Sequence, residues 1–110
     1  MQYYSPLRYP GGKAYLADFV QDLIQVNDLM GCTYYEIYAG GSGLALELLF
    51  EDVCNKIVLN DKDPHLYSFW YSILNQAEEL IYRIKSIEIN IENWKEQREI
   101  YKNYQLYSTF

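Results

Sequence analysis

Between residues 33 and 61 the chain reads as two short apolar runs separated by a glycine cluster and a helix. Thr33-Tyr34-Tyr35-Glu36-Ile37-Tyr38 is dense in β-branched and aromatic residues and predicts a strand. The cluster Gly40-Gly41-Ser42-Gly43 ends it. Leu44, Leu46, Leu48, Leu49 and Phe50 then predict a short, strongly apolar helix that stops near Glu51-Asp52. Lys56-Ile57-Val58-Leu59-Asn60 predicts a second strand, bounded by Asp61. Two neighbouring strands joined through a helix pair in parallel, and such crossovers are almost always right-handed. This β-α-β segment sets the class as α/β.

The flanks are extended, then helical. Residues 1–10 form a proline-punctuated lead-in, and Gly11-Gly12 permits a tight turn. From Lys13 onward Leu16, Phe19, Val20, Leu23 and Ile24 recur at helical spacing and predict one buried face, fading near Asn27-Asp28 with Gly31 as a breaker. Asp63-Pro64 reads as a cap and first-turn proline. Leu66, Phe69, Trp70, Ile73 and Leu74 continue a buried face behind it. Leu80, Ile81, Ile84 and Ile87 belong to a following helix, and Asn90 stands where it would cap a last one carrying Ile91, Trp94, Ile100 and Tyr104.

Composition excludes several classes. At 110 residues the chain is at most one domain, and with half its residues hydrophobic it is not a disordered polar chain. No apolar run approaches the ~20 residues of a membrane span, and no basic segment leads into an apolar one near Met1, so a cytoplasmic setting is expected. Nine basic residues against fifteen acidic give a net charge of −6, a poor endowment for phosphate contacts. Arg8 and Lys13 are the pair from which a small basic patch would be built. Cys32 and Cys54 sit in no Cys or His cluster and read as ordinary buried or half-buried thiols. His65, the single histidine, reads as a capping or surface residue.

Glycines after a parallel strand let the backbone turn sharply and leave room for a ligand, while the next helix presents free N–H groups at its start. The dinucleotide spacing is imperfect here. Counting from Gly40, Ser42 and Ala45 take the other two glycine places; counting from Gly41, Gly43 fits and Leu46 does not. Asp61 lies twenty residues past Gly41 at a strand end, where a carboxylate accepts hydrogen bonds from ribose hydroxyls. Glu36 is either a ligand for a cationic or amino-bearing group, a partner for the loop backbone, or a plain surface acid. Lys13 follows Gly-Gly, but without the four-residue spacing and the Ser or Thr of a phosphate loop. Tyr9, held beside Lys13 by Pro10-Gly11-Gly12, offers a ring for an adenine or a methylthio group.

Three ordered motifs carry a family resemblance: Pro6-Leu7-Arg8-Tyr9-Pro10-Gly11-Gly12-Lys13, Glu36-Ile37-Tyr38-Ala39-Gly40-Gly41-Ser42-Gly43 and Asn60-Asp61-Lys62-Asp63. The chain resembles the N-terminal part of Dam-type adenine-specific DNA methyltransferases, over nearly all its length. The resemblance implies a Rossmann-like S-adenosylmethionine-dependent fold, truncated after the first β-α-β unit and followed by helices. It also implies transfer of a methyl group to the N6 amine of adenine in double-stranded DNA. By matching positions, Tyr9 and Lys13 line the cofactor pocket, Gly40, Gly41 and Gly43 border the methionine part, and Asp61 holds the ribose. In the family Trp often stands in place of Tyr9, and a glycine in place of Ser42.

An Asp-Pro-Pro-Tyr motif and a target-recognition region complete the family's domain, and neither is found in this sequence; its one Asp-Pro is Asp63-Pro64, followed by His65-Leu66. The expectation is therefore a cofactor-binding part, incomplete for catalysis, that meets DNA through the missing part or is completed by a second chain. Two other readings remain open at this stage: a non-catalytic interaction or scaffold protein derived from the fold, and a nicotinamide-dinucleotide-binding module.

Overall fold

The computed structural model describes residues 3–104. They form two compact units, divided between Lys62 and Asp63. In the first, a single 3-10 turn at Ala14–Leu16 runs into helix α1 (Ala17–Val26), followed by strand β1 (Cys32–Glu36), helix α2 (Gly43–Phe50) and strand β2 (Cys54–Leu59). β1 and β2 pair in parallel, with Tyr34 beside Ile57, Tyr35 beside Val58 and Glu36 beside Leu59, and an irregular register between Cys32 and Thr33. The expected β-α-β order and parallel pairing are both present. The first strand is shorter than its apolar run, however, because Ile37 and Tyr38 leave the ladder to begin the turn.

Residues alternate across the sheet, so Cys32, Tyr34 and Glu36 of β1 share one face. Ala17 and Ile24 of α1, Leu44 and Leu48 of α2, and Val53 and Cys54 at the start of β2 make the core, with Leu16, Val20, Cys32 and Tyr34 packed against it. Leu48 is fully buried, which for a leucine is worth roughly 1.5–3 kcal/mol of transfer free energy. α1 departs from its expected face. Phe19 and Leu23 are exposed, and together with Tyr15 and Val26 they form a second apolar stripe that faces away from the core.

Left-handed backbone marks the turns. Asp28 (φ 56°) and Gly31 (φ 80°) close the loop after α1 at the place where the sequence predicts its end, and Asp52 (φ 57°) closes the loop before β2.

The second unit contains α3 (Pro64–Asn75), α4 (Ala77–Ser86) and α5 (Ile91–Lys102). Its caps are the ones expected. The Asp63 carboxylate accepts from the His65 N–H at 2.9 Å, with Pro64 in the first turn, and the Asn90 side chain accepts from the Asn93 N–H at 2.7 Å. Leu66 and Trp70 are buried, but Leu74, Ile81, Ile84, Ile87, Ile91 and Trp94 are exposed, so the predicted buried faces of this unit are only partly covered. The His65 ring stacks on Tyr101 at 3.6 Å between centroids and meets the edge of Tyr104 at 4.9 Å. No helix among the described residues is long and apolar enough to cross a membrane.

Candidate functional site

Parallel strands ending side by side leave a crevice beyond their carboxyl ends, and ligands of α/β proteins bind there. In the first unit this crevice is a cavity of about 270 Å³. That is just below the usual range for small-molecule sites, roughly 300–1,000 Å³. Tyr9, Lys13, Glu36, Gly40, Gly41, Gly43 and Asp61, the seven residues singled out in the sequence, all line it.

Glu36, the last residue of β1, is only 5% exposed. A carboxylate that deep requires partners, and both oxygens have them. The Lys13 ammonium lies 3.3 Å from Oε1, and the Tyr34 hydroxyl donates to Oε2 at 3.1 Å. Lys13 Nζ also donates to the Tyr38 carbonyl at 2.6 Å. The reading of Glu36 as a plain surface acid is therefore wrong. Lys13 is turned into the pocket wall, while Arg8 is exposed. Burial, together with the Glu36 charge and hydrogen bond, pushes the Tyr34 phenol up to about 12.

The glycine loop is shaped by contacts within the chain. Gly40 has φ 49°, and a Cβ there would meet Tyr9 Cδ1 at 2.8 Å and Cε1 at 2.9 Å. A Cβ on Gly41 would meet the Leu7 carbonyl, Ser5 Oγ and Tyr9 Cβ, each at 3.1 Å. The buried Ser5 hydroxyl donates to the Gly41 carbonyl. The lead-in segment thus lies directly on the loop, and the absence of side chains at Gly40 and Gly41 is what admits it. Ser42, where the resembled family has glycine, is itself left-handed (φ 55°) and 3% exposed, and its N–H donates to Ala39 O at 2.7 Å. The loop keeps a glycine-like path with serine in it.

Asp61 joins the second strand to this loop: its Oδ2 accepts from the Gly40 N–H at 3.0 Å. The capping job that competes for an acid in this stretch belongs to Asp63, not Asp61. Sequence reasoning missed Ser5 and Tyr38, which also line the cavity. No local pattern marks Ser5, since its partner lies thirty-six positions away. Among the described residues no group of His, Cys, Asp and Glu could hold a metal ion.

A parallel β-α-β unit with a glycine loop, a buried acid at the end of one strand and a second acid just past the other is the arrangement of Rossmann-like folds. The sequence model of the D12 class N6 adenine-specific DNA methyltransferases matches residues 9–108, and the chain belongs to that family. The family uses S-adenosylmethionine and acts on DNA. No curated protein and no solved structure matches the chain.

Proposed function

We propose that these 110 residues are the cofactor-binding part of an adenine-specific DNA methyltransferase, with S-adenosylmethionine in the cavity beyond β1 and β2. One observation carries the reading: three motifs far apart in sequence converge on one cavity of a chain that belongs to this family. The donor set suits the ligand. A zwitterionic amino-acid end calls for an acid and a base together, and Glu36 and Lys13 form such a pair at the pocket wall. Asp61 is the ribose acceptor, Tyr9 supplies an apolar wall, and Gly40, Gly41 and Gly43 border the methionine part. When bound, the cofactor supplies an electrophilic methyl group on its sulfonium; the chain binds and orients it.

Methyl transfer to adenine N6 needs further groups, because the amine's lone pair is delocalised into the ring and the base must leave the duplex to be presented. No Asp-Pro-Pro-Tyr run occurs in this sequence. That task, and most contact with double-stranded DNA, is assigned to residues outside these 110, on the same polypeptide or on a second chain. The net charge of −6 and the engagement of Lys13 with Glu36 favour this division of labour.

Calorimetric titration with S-adenosylmethionine tests the proposal, with Asp61→Asn as the variant. Asparagine keeps an oxygen for the Gly40 N–H and removes the charge that strengthens hydrogen bonds from the ribose. The expected result is saturable binding by the parent and affinity about tenfold weaker or worse in the variant, since hydrogen bonds to charged groups are worth roughly 1.5–3 kcal/mol. A folded chain that gives no heat with the cofactor would refute the proposal and leave the scaffold reading. Binding of a nicotinamide dinucleotide in its place would point to the other enzyme class.

A further inference from the structure

Cys32 and Cys54 are twenty-two positions apart in sequence, yet their sulfurs lie 3.7 Å from each other. They open the two strands of the sheet and are register partners across it. Neighbouring strands run about 4.7–4.9 Å apart, which falls within the Cα separations that disulfides span, about 4.4–6.8 Å. From 3.7 Å the sulfurs must approach by about 1.7 Å to reach bonding distance, a shift within reach of side-chain rotation. The two thiols also differ in access. Cys54 is 1% exposed, whereas Cys32 is half-buried.

We propose that Cys32 and Cys54 form a reversible intramolecular disulfide that staples β1 to β2, with a low-molecular-weight disulfide as the oxidant. In the first step the Cys32 thiolate attacks one sulfur of the reagent, and a mixed disulfide and one reagent thiol result. In the second, Cys54 gives up its proton and attacks the Cys32 sulfur, which expels the other reagent thiol. Two protein thiols and one reagent disulfide become one protein disulfide and two reagent thiols. The greater exposure of Cys32 makes it the residue that reacts first and the buried Cys54 the one that resolves; burial and the adjacent Cys32 push the Cys54 thiol up to about 11.

The bond lies at the amino ends of the strands, and the cavity lies beyond their carboxyl ends. It encloses α2 and the glycine loop in a covalent ring without entering the pocket. The staple acts on the β-α-β unit and leaves the pocket lining intact. It is independent of what the pocket binds.

The test is incubation of the chain with oxidised glutathione, followed by mass spectrometry, peptide mapping and thermal melting. The expected product is a monomer lighter by two hydrogens, with Cys32 and Cys54 in one linked peptide pair and a melting midpoint raised by roughly 10 °C. Cys54→Ala should stop at the glutathione adduct on Cys32, and Cys32→Ser should take up no glutathione within the same time. Because Cys54→Ala alters the core, the parent's own mass and map decide the matter if that variant does not fold. A persistent adduct on the parent, a disulfide-linked dimer, or a linked monomer that melts no higher than the reduced chain would each overturn the proposal.

Discussion

Replacing Gly40 with alanine measures how tightly the lead-in segment is seated on the glycine loop. Gly40 has φ 49°, where an L-residue costs about 1–2 kcal/mol. The new methyl group would stand 2.8 Å from Tyr9 Cδ1, whereas carbon atoms rest about 3.5–4.0 Å apart. The overlap, 3.5 less 2.8, is about 0.7 Å. Overpacking of that kind costs about 1–3 kcal/mol, so Gly40→Ala should destabilise the chain by about 2–5 kcal/mol. Tyr9 is 45% exposed, so its ring can be removed at modest cost. In a Tyr9→Ala background the overlap vanishes and only the backbone strain remains. A double-mutant cycle in urea, read by far-ultraviolet circular dichroism, should therefore return a coupling of about 1–3 kcal/mol. If Gly40→Ala costs the same with and without Tyr9, the ring does not lie on the loop and the reasoning fails.

Three further variants test the loop backbone and the buried acid beside it. Ser42→Gly should change stability by no more than about 0.5 kcal/mol, because relief of left-handed strain offsets the extra freedom of glycine when unfolded. Ser42→Val should cost about 2 kcal/mol or more, since a β-branched residue is strained at φ 55°; equal melting of the two variants would refute the assigned backbone. Tyr34 holds its proton more tightly folded, at about 12, than at its ordinary value of 10.0. The unfolded chain therefore ionises first, and the stability that the neutral phenol contributes is complete below about pH 10 and lost toward pH 12. Tyr34→Phe should flatten the decline of thermal stability between those limits, and parallel declines for the two proteins would contradict this.

Short-range physics explains how much could be read from residues alone. Asp63 with Pro64, and Asn90, act within their own first helical turns, so the sequence contains all that these caps require. The glycine cluster, the acid at each strand end and the parallel pairing were legible because a strand-helix-strand connection of this length permits few arrangements. Periodicity was less informative about depth. It marked Phe19, Leu23 and Leu74 as apolar members of helical faces, but a repeat reports which side chains share a face and not whether anything covers them.

The β-α-β order, the caps, and the residue types gathered near the ends of the strands are all written in the order of amino acids. Which of them touch is settled only once the chain has folded. Lys13 on Glu36, Ser5 on the Gly41 carbonyl, the Tyr9 ring over Gly40 and the Cys32 sulfur beside Cys54 join positions twenty-two to thirty-six residues apart. Such pairs arise when the crossover lays β2 beside β1 and the lead-in folds back over the loop. Each contact depends on the path of the whole intervening chain, which no local pattern encodes.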